Sequence, residues 1–449
     1  MATASLQDLL DGYEDPLSAL RDSSIVDSPT PERQRALEYT NWRDEQRSWK
    51  ETCYIGDWSF MPDLRVEGPD AKQLWQDLIV NSVENFPIGK AKHAVACNEH
   101  GYVIGDGILF RAAEDRYHSQ HLAAWPEFNA TTRGYDVETE IHDTFIYQVQ
   151  GPTSLALLES LTDDMLTELP FMNVTEIEIA GTDVYVIRQG MSGEVGFELQ
   201  GDMEDADEMW ETIVEAGNEF GLRRLGRRTH MINHLEMCFP TRGHHYLPAI
   251  FGPEMREYRE WLDAADLAEA NFTIAGSYPA SDVSEYYRTP VELNWNRNIA
   301  FDHEFVGREA LRVEVENPTR STVTLEWNSE DVVEIFSSLF ESGTPHKWME
   351  IPYQNFRAIE GDAVMKDGEL VGMSTGRGYS YSFRKMLSLA TVDVSVADPG
   401  TEVIVVWGEG ENPANPRISD HEPKEIRATV ATAPYKEDRR RTDLATMSE

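Results

Sequence analysis

GMSGEVGFEL, residues 190–199, is the stretch on which the fold turns. It sets three glycines before a short apolar run. The spacing is not G-x-G-x-x-G, and the run lies in a strand–turn–strand context, which argues against a dinucleotide fingerprint. Its glycines let the backbone approach a flat ligand closely. Glu198 stands between Phe197 and Leu199, where a buried carboxylate needs a partner. An arginine would serve, and so would a pterin ring, whose N–H groups can bind both carboxylate oxygens at once. The residues alone leave both open.

Upstream, Gln150-Gly151-Pro152 opens a helix directly after a strand. It serves as a structural turn, and its exposed N–H groups could also take a polar ligand. Helical spacing marks residues 151–169 and 202–219, the second ending at Gly221 as a left-handed stop. Between them, short strands are expected at 175–179 and 183–188. Residues 54–67 alternate as strands around Asp57-Trp58-Ser59. Ala71, Leu74, Leu78, Ile79 and Val83 share one helical face, with Pro69 in its first turn. Residues 93–111 read as a hairpin. Residues 1–35 are polar, carry Ser-Pro and Thr-Pro, and are expected to wrap over the surface.

Downstream, Arg228, His230, His234, Glu236, His244 and His245 crowd one stretch. HMINH places two histidines four apart on one helical face, but no third ligand follows at a recognised spacing, so no metal site is expected. His230 suits a general acid or hydrogen-bond donor, since an unperturbed imidazole titrates near pH ~6.5. Trp58, Trp125, Trp261, Trp295 and GYSYS (378–382) read mainly as core, with one or two able to face a ligand. From about residue 318, β-branched runs at 322–327, 369–374, 387–392, 402–406 and 426–431 are separated by Gly and Pro, the pattern of a small barrel. The expected organisation is α+β: an extension over 1–40, an α+β region of two interleaved subdomains over 41–315, and a β-barrel with its tail over 316–449.

The composition bounds the function. With 41% hydrophobic residues in 449, the chain can bury a sizeable core. It lacks an apolar run long enough to span a membrane, and its start has no basic-then-apolar leader. Cys53, Cys97 and Cys238 are widely spaced and read as packing residues of a reducing, cytoplasmic setting. Asp and Glu number 80 against 39 Lys and Arg, a formal net charge of -41 spread along the whole chain. That surplus argues against nucleic acid as a partner. It suits a halophilic source, where salt screens self-repulsion.

In order, these motifs resemble the glycine-cleavage T-protein superfamily. IGKAKHAVACNEHGYVIGDGILF (88–110), QGP (150–152), GMSGEVGFE (190–198), GLRRLGRR (221–228), EFVGREAL (304–311) and VGMSTGRGYSYSFRKMLSLATVD (371–393) follow the family's signatures across residues 40–435. TNWRDEQRSWKETC (40–53), SLFES (338–342) and GYSYS look most like the vanillate and syringate O-demethylases, which move a methyl group from an aryl ether to tetrahydrofolate. The resemblance implies two α/β domains and a C-terminal barrel around a central folate channel. It implies that Glu198 binds the pterin, that Gln150, Phe239, Arg228 and Met61 belong to the folate pocket, and that Asp106 is catalytic. His230 stands where the demethylases carry a catalytic tyrosine. Their substrate-loop histidine is replaced in Trp58-Ser59-Phe60, and their carboxylate-binding arginine is lost near residues 118–122. Trp58, Ser59, Phe60 and Trp125 are therefore the expected contacts of a small-molecule methyl donor. An aryl ether is the expected donor. The alternatives are a dimethylsulfoniopropionate or methylammonium demethylase, a glycine-cleavage aminomethyltransferase, and a non-catalytic folate-binding protein.

Overall fold

The computed structural model describes residues 6–22, 36–265, 272–353, 358–409 and 418–447. A six-stranded sheet runs in the order Leu222–Arg224, Cys53–Asp57, Thr144–Gln150, Gly196–Asp202, Thr182–Ile187, Val174–Ile179. A five-stranded sheet runs Ala91–Cys97, Val103–Arg111, Arg116–Gln120, Asp63–Glu67, Glu138–His142. All five of its strands fall in the chain between two neighbours of the first sheet, Cys53–Asp57 and Thr144–Gln150, so the sheets interleave in sequence. A closed six-stranded barrel spans Arg320–Trp327 to Lys424–Ala431. The mixed sheets and the barrel bear out the expected fold class.

The Thr144–Gln150 strand, TFIYQVQ, is buried along its whole length and shows how one strand serves two purposes. Successive side chains point to opposite faces. Phe145, Tyr147 and Val149 enter a core with Phe197, Leu199 and Trp210. Ile146, Gln148 and Gln150 point the other way. The neighbouring strand pairs Glu198 opposite Gln148, which puts the carboxylate on that same face.

Several elements differ from expectation. The helix expected over 151–169 closes at Ser154–Glu159, followed by a 3-10 turn at Leu166–Glu168. Thr162 Oγ1 accepts from the Asp164 N–H, a local bond that competes with helical pairing. Pro69 lies just ahead of the Ala71–Leu78 helix instead of inside it, and Ile79 is already extended. The barrel strand Asp362–Lys366 was not anticipated. Leu17 and Leu20 of the Pro16–Asp22 helix are buried in the main core, so this part of the extension packs inward. Residues 1–5 and 23–35 lie outside the described residues. Among those described, no helix is long and apolar enough to cross a membrane.

Beyond the barrel the chain returns to the first sheet. The Arg188 guanidinium donates to the carbonyls of Leu169 and Thr442, and Leu444 is wholly buried in the first sheet's core.

Candidate active site

A cavity of about 1170 Å³ opens where both sheets, the His230–Glu236 helix and the tail meet. Glu198, Asp106, His230, Phe239, Met61, Trp58 and Phe60 all line it. Gln150, Arg228, Ser59 and Trp125 do not, and each has a physical reason.

Gln150 lies one layer behind the wall. Its Oε1 accepts from the N–H groups of Met191 and Ser192, and its Nε2 donates to Gln148 Oε1 at 2.9 Å. Gln148 in turn donates to Glu198 Oε1. Gly190 and Gly196 therefore make room for the Gln150 side chain, while Gly193 lies against Met237 and Lys436. A methyl at Gly190 would lie 2.7 Å from Gln150 Oε1, and one at Gly196 would lie 2.5 Å from Gln150 Cγ. Arg228 points outward, to Glu38 and the Ile351 carbonyl. Ser59 is spent on the backbone, its Oγ accepting from the Ile146 N–H at 3.0 Å. Trp125 is packed against Phe128 and Tyr258 in the main core.

Glu198 is 2% exposed, and its Oε2 has no hydrogen-bond partner. Burial pushes its carboxyl up to about 7, although Gln189 and Gln148 pull it down. Asp106 behaves oppositely. Burial alone would raise it, but the hydrogen bond from His93, the nearby charge of His121 and the hydrogen bond from Tyr246 hold it below the usual carboxylate range. Its Oδ2 lies 2.9 Å from His93 Nε2, and its Oδ1 accepts from the Tyr246 hydroxyl at 2.7 Å.

His230 sits edge-on to Trp58, ring centroids 6.0 Å apart. Burial, with the nearby charges of His234, His244 and Arg227, pushes it down to about 3. The expectation of an acid titrating near its ordinary value is thereby corrected. This imidazole is neutral at physiological pH and can donate only through its one N–H. Cys238 also lines the cavity while packing against the core around Trp49 and Trp58, with burial raising its thiol to about 12.

Sequence reasoning passed over Gln148, His93 and Tyr246. Gln148 was within reach, because period-2 alternation puts it on the face of Gln150. His93 and Tyr246 meet Asp106 only through the fold and carry no local signal.

The cavity also reverses the sign of the molecule. Lys92, Arg227, Arg242, Arg297, Arg440 and Arg441 line it, against Asp106, Glu198 and Asp438.

Residues 26–251 match the GCVT N-terminal domain family. The chain is 36% identical to a syringate O-demethylase of Sphingobium sp., covering 96% of each protein. The chain belongs to the GCVT family. A sesamin methylene transferase of Sinomonas sp. is 33% identical to this GCVT protein over 89% of the chain and 90% of the relative. The glycine-cleavage aminomethyltransferase T of Bartonella henselae superposes on it with a TM-score of 0.65, covering 90% of this chain and 92% of that one, at 19% identity. That likeness concerns the fold.

Proposed function

We propose that the protein moves a methyl group from an aryl methyl ether to N5 of tetrahydrofolate. The bond from methyl carbon to ether oxygen breaks and the bond to N5 forms. N5 gives up its proton and the departing phenolate takes one up, so no further reactant is needed.

The observation that carries this reading is the free Oε2 of Glu198. A buried carboxylate held by Gln148 on one oxygen and bare on the other fits a pterin edge, which offers adjacent N–H donors. The cationic lining supports the same ligand, since folate ends in glutamate carboxylates. It also opposes a sulfonium or ammonium donor, which the aromatic pair Trp58 and Phe60 would otherwise suit. Asp106 would face the reacting end of the folate, and His230 would donate a hydrogen bond to the ether oxygen. A phenolate with a pKa near ~10 is a poor leaving group, so that bond matters to the rate. The acidic surplus supports a salt-rich cytoplasm as the setting of this reaction.

The direct test incubates the protein with tetrahydrofolate and a panel of aryl ether, sulfonium and ammonium donors in high salt. Formation of 5-methyltetrahydrofolate from an aryl ether is expected, and its formation only from the cationic donors would overturn this reading. Glu198 gives a second test by titration calorimetry. Glu198→Ala is expected to weaken tetrahydrofolate binding by about 1.5–3 kcal/mol, as for a hydrogen bond to a charged group. An unchanged Kd would remove the pterin assignment.

The sign of the pH dependence follows from the raised carboxyl. In the free protein Glu198 holds its proton below about 7, and a ligand that donates two N–H groups needs the carboxylate. Affinity should therefore weaken as pH falls below about 7, by up to ~10-fold per unit, with release of a proton on binding. Proton uptake on binding would contradict the assignment.

A further inference from the structure

Asp106 is held from several parts of the chain. It lies on the Val103–Arg111 strand, His93 on the adjacent Ala91–Cys97 strand, Tyr246 in a loop, and Asn298 at the end of a 3-10 turn. Asn298 Nδ2 lies 3.0 Å from His93 Nδ1. A carboxylate can only accept, so Nε2 carries the proton that faces Asp106, and Nδ1 is left to accept from the Asn298 amide. That proton points at Asp106 Oδ2, 2.9 Å away. The ring is kept in place by Trp295, which meets it edge-on with centroids 4.6 Å apart, and by Phe239 at 5.6 Å.

We infer that His93 is a positioning residue for the transfer, locked by Asn298 into the tautomer that donates to Asp106. With Tyr246 on the other oxygen, the carboxylate is pinned at both ends and presents its remaining lone pairs to the cavity. It therefore stays aimed where the N5 proton must leave. The inference rests on the proposed transfer to N5, in which Asp106 faces the reacting atoms. A misaimed group next to the reacting atoms typically costs up to about 10²-fold in rate, without a matching loss of binding.

Two substitutions separate positioning from packing. His93→Phe keeps a flat ring against Trp295 and removes the donor. His93→Gln shortens the ring contact and restores an N–H. Single-turnover methyl transfer is expected to fall about 10–100-fold in His93→Phe, with tetrahydrofolate Kd nearly unchanged, and to recover most of that loss in His93→Gln. A structural role predicts the reverse order, with the phenylalanine variant the better enzyme, and that order would overturn the inference.

Asn298→Asp adds a sharper readout. An acceptor now faces Nδ1, so the imidazole must either switch tautomer or hold both protons. A proton on Nδ1 is expected in the 15N-histidine spectrum of this variant, and a spectrum identical to the wild type's would overturn the lock.

The tautomer is also visible without any turnover. In 15N-histidine spectra of the full-length protein, the signals lost in His93→Phe identify His93, and a proton on Nε2 is expected. A proton on Nδ1 overturns the inference whether or not any donor reacts. Wild-type protein that transfers nothing while showing the Nε2–H form would instead sink the proposed reaction and leave the lock standing.

Discussion

His230→Ala is expected to slow methyl transfer from an aryl ether by about 10²–10⁴-fold while leaving folate affinity nearly intact. The imidazole lines the cavity beside Trp58, where the ether oxygen would lie in the proposed complex. In transit that oxygen acquires negative charge, and a fixed, preoriented N–H stabilises it more than bulk water would. Because burial pushes His230 down to about 3, it is already neutral across the working range. Its contribution is present at every pH above that value, so it adds no pH dependence between about 5 and 8. A rate that fell through an ordinary imidazole titration would show that His230 acts as an imidazolium and that its surroundings differ from those described. A sulfonium or ammonium donor departs neutral and needs no such donor. With one of those, His230→Ala should lose little, and Trp58→Ala should lose more. Single-turnover measurements of both variants on both donor types decide between the chemistries.

Lowering salt from about 1 M to about 0.1 M is expected to lower the melting temperature sharply and to abolish activity. The net charge of -41 is unscreened once the Debye length grows from ~3 to ~10 Å. Two like charges about 10 Å apart in water repel by roughly 0.4 kcal/mol. Many such pairs together compete directly with a folding stability of about 5–15 kcal/mol. Ion pairs offer little relief, since 39 basic residues face 80 acidic ones and several pairs, such as Arg47–Glu51 and Arg256–Glu260, are solvent-exposed. A melting temperature that stays flat or rises on desalting would reject salt adaptation. Thermal scans by circular dichroism across salt concentrations measure it.

How far the sequence led depended on the range over which each signal acts. Barrel strands and hairpins follow from local alternation, and their positions were legible apart from Asp362–Lys366. Glu198 was legible because a carboxylate in FEL, within an apolar strand, has to be explained by something nearby. Nothing in the string says that Gly190 and Gly196 clear space for Gln150. Trp125, Ser59 and Arg228 fit the expected chemistry by residue type, yet each is consumed by a neighbour distant in sequence: Tyr258, Ile146 and Glu38. The same holds in reverse for His93, whose partners Asp106, Tyr246 and Asn298 assemble only once the sheets and loops are in place. The depression of His230 was equally out of reach, because it comes from enclosure and not from residue type.

The tail that Arg188 grips has a consequence for how the protein comes into being. Its Arg440 and Arg441 form part of the cavity wall, to which Leu37 contributes first among the described residues. The strand Cys53–Asp57 gains its parallel neighbour only when Leu222–Arg224 has been made. A ribosome must therefore deliver nearly the whole chain before a binding chamber exists, and such distant pairings close slowly. Ligand cannot rescue a half-made molecule. Once the chamber is complete, bound ligand ties early and late segments together, so amide exchange should slow in both sheets and in the tail at the same time.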